Sequence, residues 1–229
     1  MTLHRFFVAP AAMAGNRFPV PDEIAHQVQR VLRLRGGDRF VLLDGRGEQA
    51  TVRLAGGACV VEERGPAGGE PAHRLTVWQA LLRGDHLEPV IRHGTEVGIA
   101  AFRLVVTDRC VAREISERKL ERLRAVAREA AEQSERGLVP EVAAPVPFAE
   151  ALVSTSVLLL ERTKGPRLSD VAPPTGVVIG PEGGFTPDEV AAAERAGMTL
   201  AGLGRRILRS ETVAVAAAAV ILSRTGDFA

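Results

Sequence analysis

Short apolar runs alternate with helical stretches between residues 74 and 229, and this alternation constrains the fold more than any other feature. The runs fall at 75–82, 102–107, 157–160, 177–179 and 199–203. They are largely apolar along their length, as strands of a sheet covered from both sides are. The segments between them read as helices. Residues 116–134 are the clearest, with Leu120, Leu123, Val126, Ala127, Ala130 and Ala131 on one side and Arg118, Lys119, Arg122 and Arg128 on the other. Asp85 and Glu88 have the spacing of a capping box for a helix reaching about residue 97, and Pro89 falls in its first turn. Strand-helix alternation of this kind gives an α/β fold with a mostly parallel sheet.

Ahead of that region the texture differs. Residues 64–71 (Arg-Gly-Pro-Ala-Gly-Gly-Glu-Pro) read as a linker. Before it, runs at 39–43, 49–54 and 58–61 are separated by Asp44-Gly45 and Gly56-Gly57, which suggests a small barrel or meander. A helix opens at Pro21-Asp22, carries a stripe of Val20, Ile24, Val28, Val31 and Leu32, and closes at Gly36-Gly37. Two domains are expected, 1–70 and 74–229.

The composition is that of an ordinary soluble chain: 46% hydrophobic, 25% charged, net charge +1. So balanced a charge gives no global argument for a polyanionic partner. Lys119 and Lys164 are the only lysines, so arginine carries nearly all the positive charge; its planar fork suits phosphate and bases, and a GC-rich genome explains the bias equally well. Cys59 and Cys110 stand far apart, and the five histidines are scattered. Neither a disulfide framework nor a metal site is expected, and a reducing, cytoplasmic setting fits. The N-terminal stretch 6–15 imitates a signal peptide but is short and broken by Pro10. The longest apolar run, 213–222, is half the length of a membrane span, so no membrane association is expected.

Two strand-end loops carry the candidate chemistry. In the first, a buried strand runs into Ile179, Gly180, Pro181, Glu182, Gly183 and Gly184, after which Thr186, Pro187 and Glu189 have the pattern of an N-cap, a first-turn proline and a capping box. Glycines let the main chain approach a ligand closely. The loop is neither a Walker loop nor a GxGxxG fingerprint. In the second, Leu203, Gly204, Arg205, Arg206, Ile207, Leu208 and Arg209 lead into a helix that is apolar on every side from 213 to 222 and therefore needs cover, from the same chain or another subunit. Ligands of α/β proteins bind at the carboxyl ends of parallel strands, so both loops are expected to face one pocket. Read alone, the first loop is equally a tight connection and the second a solvated charge cluster beside a helix cap.

The pairing of Ile-Gly-Pro-Glu-Gly-Gly-Phe (179–185) with Leu-Gly-Arg-Arg-Ile-Leu-Arg-Ser-Glu-Thr (203–212) resembles the SPOUT methyltransferases, and more narrowly the ribosomal RNA small subunit methyltransferase E family. His4-Arg5-Phe6-Phe7, Val31-Leu32-Arg33 before Gly37-Asp38, Gly84-Asp85, Thr95-Glu96-Val97-Gly98, 129–134 with Arg136, and Val139-Pro140 agree with it. Arg92, Pro89 and Val213 depart from the pattern. The resemblance implies a PUA-like N-terminal barrel for RNA, a C-terminal domain with a deep trefoil knot, and a homodimer. It also implies S-adenosylmethionine as methyl donor and a uridine N3 in 16S ribosomal RNA, free or in the small ribosomal subunit, as acceptor. The cofactor would lie against Ile179–Gly184 and against Leu203, Gly204, Ile207, Leu208 and Arg209.

Methylation at a uracil N3 requires loss of the imide proton. Arg209 is the expected stabiliser of the uracil anion and Glu211 the expected proton acceptor. Arg5, Arg17, Arg30 and Arg33 are the expected RNA contacts. Two rival readings are a nucleotide-binding enzyme using the 180–184 loop as a phosphate cradle, and a non-catalytic RNA-binding dimer.

Overall fold

The computed structural model describes residues 3–154, 157–159 and 165–228. Contacts divide the chain into two units, Met1–Glu70 with Ala131–Val139, and Pro71–Ala130 with Pro140–Ala229.

In the first unit, β1 (Arg5–Phe7), β2 (Arg17–Pro19), β3 (Arg39–Leu43), β4 (Glu48–Ala55) and β5 (Ala58–Pro66) form one sheet in the order β1-β3-β4-β5-β2. Only β1 and β3 run parallel. On β4, Ala50, Val52 and Leu54 are buried at every second position, the period that directs one face of a strand into a core. There they meet Phe6, Phe18, Ile24, Val28 and Phe40, and the Phe6 and Phe40 rings meet edge to face at 5.7 Å.

The expected helix from Pro21 to Gly36 is cut short. α1 spans Asp22–His26 and widens at once into a π-turn over Gln27–Val31, closed by the Leu32 N–H donating to the Gln27 carbonyl at 2.9 Å. The wider turn breaks the 3.6-residue period, so Ile24 and Val28 stay buried while Val31 is 62% exposed. Residues 131–139 were not foreseen here. Glu132 accepts from the Phe7 N–H at 2.9 Å, and Arg136 grips Glu70 at 2.6 and 3.1 Å.

The second unit is built on β6 (Thr76–Ala80), β7 (Ala101–Val106), β8 (Glu141–Pro147), β9 (Val157–Leu159), β10 (Gly176–Ile179) and β11 (Thr199–Ala201). Their order is β11-β9-β10-β6-β7-β8, and every neighbouring pair is parallel. The molecule therefore carries the α/β fold with a parallel sheet that the alternation implies. Position 160, expected at the end of β9, lies outside the described residues.

The helices are α2 (Leu87–Glu96), α3 (Glu117–Gln133), α4 (Phe148–Ser154), α5 (Pro187–Arg195) and α6 (Ser210–Arg224). β8 escaped the sequence reading because Pro145 and Pro147 argue against a strand; at the edge of a sheet the missing N–H groups are tolerated. The capping box expected from Asp85 and Glu88 does not form. His86 caps α2 without a side-chain bond, because the Arg122 guanidinium holds the Glu88 carboxylate at 2.6 and 3.0 Å. On α6, Ala214, Ala217, Ala218, Ile221 and Leu222 are buried, whereas Val213, Val215, Ala216, Ala219 and Val220 are only half covered. Among the described residues no helix is long and apolar enough to cross a membrane.

Candidate functional site

The carboxyl ends of β9, β10 and β11 open into a cleft of about 580 Å³. Its floor is Leu159 and Ile179, which are paired in register on adjacent strands. All of Ile179, Gly180, Pro181, Glu182, Gly183 and Gly184 line it, and Leu203, Arg206 and Leu208 line it from the second loop. The two loops singled out from the sequence thus share one cavity.

The glycine loop is held from several sides. The Gly184 N–H bonds the Pro181 carbonyl at 2.9 Å and its φ is +68°, a left-handed turn that suits glycine. A Cβ on Gly180 would lie 3.0 Å from the buried Phe185 ring, so a side chain there would push into the wall of the cleft. Phe185 in turn meets Phe148 of α4 at 5.6 Å.

Beyond the loop, Thr186 and Glu189 form the expected capping box on α5, with bonds of 3.2 and 2.8 Å. Glu189 also does something the sequence did not reveal. Its other oxygen accepts from the Asp108 N–H at 2.7 Å, tying the turn after β7 to the glycine loop. From that same turn Arg109 donates to the Gly183 carbonyl at 2.9 Å and lines the cleft. The rule that pointed to the other two loops, a turn at the carboxyl end of a parallel strand, applies equally to Thr107-Asp108-Arg109.

The second loop is differently placed. Leu203 and Leu208 line the cleft, but Gly204, Ile207 and Arg209 do not, and the Arg209 side chain is 84% exposed. The α6 turn supplies Ser210 and Val213 instead. Glu211 lies just outside the lining, 20% exposed, with Oε1 4.0 Å from the Arg209 guanidinium. The face of α5 bearing Pro187, Val190, Ala191 and Glu194 completes the wall, at the helical spacing that sets residues three and four apart on one side.

A third turn, at 83–86, reaches the same edge. The Arg83 N–H donates to Glu182 Oε1 at 3.0 Å, and His86 Nδ1 lies 3.8 Å from that oxygen and 3.9 Å from Glu211 Oε2. No group of three His, Cys, Asp or Glu side chains among the described residues could hold a metal ion.

The four arginines expected to meet RNA lie in the first unit and differ in their ties. Arg5 is braced between Gln49 and Glu135, each at 3.0 Å, and Arg17 donates to the Ala55 carbonyl at 3.3 Å. Arg30 and Arg33 are exposed and make no side-chain bond among the described residues; Arg33 has a φ of +53°.

Comparison with known proteins agrees with this architecture. The RNA methyltransferase domain model matches residues 69–222. The ribosomal RNA small subunit methyltransferase E of Synechocystis is 34% identical, over 95% of this chain and 77% of its own length. That of Mycobacterium bovis is 36% identical, over 96% of this chain and 92% of its own. Among solved structures, a ribosomal RNA small subunit methyltransferase E from Neisseria gonorrhoeae bound to S-adenosyl methionine superposes with a TM-score of 0.89. It is 28% identical, and the match covers 97% of this chain and 98% of that one.

Proposed function

The chain belongs to the ribosomal RNA small subunit methyltransferase E family, and on that footing we propose that it transfers a methyl group from S-adenosylmethionine to N3 of a uridine in 16S ribosomal RNA. The observation that carries this reading is the convergence of 179–184 with Leu203, Arg206 and Leu208 on one cleft.

The residues present fit the cofactor. A cavity of about 580 Å³ lies in the range of small-molecule sites, and its glycines expose main-chain N–H and C=O groups. Glu182 and Glu194 place carboxylates in a lining that also carries Arg109 and Arg206, so neither sign of charge is in excess there. What counts against a phosphate cradle is that the N-terminus of α5, where a phosphate would settle, already carries the Glu189 carboxylate.

S-adenosylmethionine, when bound, supplies an electrophilic methyl group on a positively charged sulfur. Ile179, Gly180, Pro181, Glu182, Gly183 and Gly184, with Leu203 and Leu208, would hold it, and the expected contacts from Gly204, Ile207 and Arg209 are left out because these three do not line the cleft. Binding there replaces a chance encounter by fixed placement, which supplies a large part of the rate. As the imide proton leaves, the Arg209 guanidinium stabilises the charge left on the uracil and the Glu211 carboxylate receives the proton.

The wider assembly is part of the proposal. Residues 1–70 form a PUA-like RNA-binding domain, a reading supported by the β1-β3-β4-β5-β2 sheet, with Arg17, Arg30 and Arg33 as phosphate contacts and Arg5 chiefly a brace. Residues 74–229 form a SPOUT-like domain whose two cofactor loops belong to a deep trefoil knot. The half-covered face of α6 is completed by a second copy in a homodimer, and the enzyme works in the cytoplasm on 16S RNA or the small subunit.

The test is calorimetric titration with S-adenosylhomocysteine, followed by incubation with S-adenosylmethionine and small-subunit RNA and mass spectrometry of the digested nucleosides. N3-methyluridine is expected. An absence of binding heat, or methylation at another atom, refutes the assignment. Arg30→Ala with Arg33→Ala should also flatten the dependence of log affinity for RNA on log salt by about 1.4, the slope for two single-strand phosphate contacts.

A further inference from the structure

A uracil that gives up its imide proton spreads the resulting charge over N3 and the two carbonyl oxygens beside it. Such a charge is held best by a cation that already stands in place when it appears. Among the described residues, two cationic side chains line the cleft, Arg109 and Arg206. Arg206 is exposed and makes no hydrogen bond or ion pair among them, so nothing fixes where its guanidinium stands.

Arg109 is fixed along its whole length. Its turn is held from both sides: Glu189 accepts from the Asp108 N–H at 2.7 Å, and the Arg113 guanidinium donates to the Thr107 and Asp108 carbonyls at 3.0 and 2.7 Å. Its stem packs across the glycine loop, where a Cβ on Gly183 would lie 3.3 Å from the Arg109 Cβ. At the tip, Nη1 donates to the Gly183 carbonyl at 2.9 Å. That bond uses one N–H of a group that carries five. Among the described residues no carboxylate pairs with Arg109, so its charge is not neutralised within the chain.

We propose that Arg109 is a further catalytic residue, whose unused N–H groups meet a carbonyl oxygen of the acceptor uracil and hold the charge that ionisation leaves there. It shares that charge with Arg209, because the ring offers one carbonyl on each side of N3. The proposal rests on reading the acceptor as a uridine N3. The imide proton passes to the Glu211 carboxylate and the N–H electron pair stays on the base. That pair forms the bond from N3 to the methyl carbon as the carbon–sulfur bond breaks, and the electrons of the broken bond remain on sulfur. Arg109 exchanges no proton; it lowers the cost of forming the anion.

Arg109→Gln removes the charge, and Arg109→Lys keeps a cation without the planar fork. At saturating S-adenosylmethionine, turnover on small-subunit RNA should fall about 100-fold in Arg109→Gln and about tenfold in Arg109→Lys.

A binding measurement without turnover gives an independent readout. Small-subunit RNA made with 5-fluorouridine carries a more acidic imide than the same RNA made with uridine. In the presence of S-adenosylhomocysteine the wild type should bind the fluorinated RNA about fivefold more tightly than the plain one, since it favours the ionised base. In Arg109→Gln that ratio should fall toward one. A brace for Gly183 alone would weaken S-adenosylhomocysteine and leave the ratio as it is in the wild type. Turnover of Arg109→Gln within about threefold of wild type, or the same ratio in both proteins, overturns the proposal. If the wild type itself forms no N3-methyluridine, the reading of the acceptor fails and the proposal falls with it, an outcome that the wild-type arm separates from a failure of Arg109.

Discussion

The two loops of the cleft descend from the same local plan, a parallel strand ending in a turn that opens a helix, yet they are held in opposite ways. The glycine loop is followed by a helix with a full capping box, and Glu189, Arg109 and the Gly184 turn fasten it. The arginine loop leads into α6 through Arg209, which caps it with no side-chain bond, and residues 204–207 are exposed. One wall is therefore fixed by its own chain before any ligand arrives. The other offers exposed cations and an exposed Ile207. A preformed cradle opposite a loosely tied cationic lip suits a site that holds a small cofactor on one side and receives a large polyanion on the other.

The largest effect that would break this contrast comes from Glu189→Ala. The carboxylate is 6% exposed and accepts from two main-chain N–H groups, so its removal leaves both without a partner. A loss of about 3 kcal/mol is expected from hydrogen bonds to a buried charge, read by denaturant or thermal unfolding. A loss below about 1 kcal/mol would show that the glycine loop is no better fastened than its neighbour.

Next come the two residues proposed to handle the proton. Glu211→Gln and Arg209→Ala should each lower turnover about 100-fold. Stability should stay within about 0.5 kcal/mol for the exposed Arg209, and S-adenosylhomocysteine affinity should change little for Glu211→Gln. Unchanged turnover in both would remove them from the chemistry and leave the arginine loop with binding alone.

How far the sequence disclosed this arrangement differs by residue. The capping box at Thr186 and Glu189 was legible because both partners lie within one helical turn and their spacing is fixed by the helix itself. The shared cleft was legible because strand ends in a parallel sheet point the same way. The second role of Glu189 was not, since Asp108 is 81 residues away and only the folded sheet brings the two together. The same holds for 131–139, whose place in the first unit depends on Glu132 and Arg136 meeting Phe7 and Glu70. The box expected at Asp85 and Glu88 failed for the converse reason: a distant guanidinium, Arg122, competes for the carboxylate that a local pattern assigns to the backbone. Local rules located the loops, and long-range pairs decided how each is held.

A smaller effect sharpens the contrast from the side of the braced loop. Arg109→Ala deletes the bond to the Gly183 carbonyl at an exposed position, so about 0.5 kcal/mol of stability should be lost. Because Arg109 also lines the cleft, S-adenosylhomocysteine should bind several-fold more weakly.

The smallest effect is expected from Arg205→Ala combined with Arg206→Ala. Both side chains are exposed and form no hydrogen bond or ion pair among the described residues, so no contact within the chain is lost with them. Substitutions of that kind stay within about 0.5 kcal/mol, and the melting temperature should move by no more than about 2 °C. Mutual repulsion between neighbouring guanidinium groups even favours a slight gain at low salt. Differential scanning calorimetry at low and high salt checks this directly. A drop of 5 °C or more would mean that the arginine loop is tied to the fold as firmly as the glycine loop, and the distinction between a fixed wall and a free lip would fall.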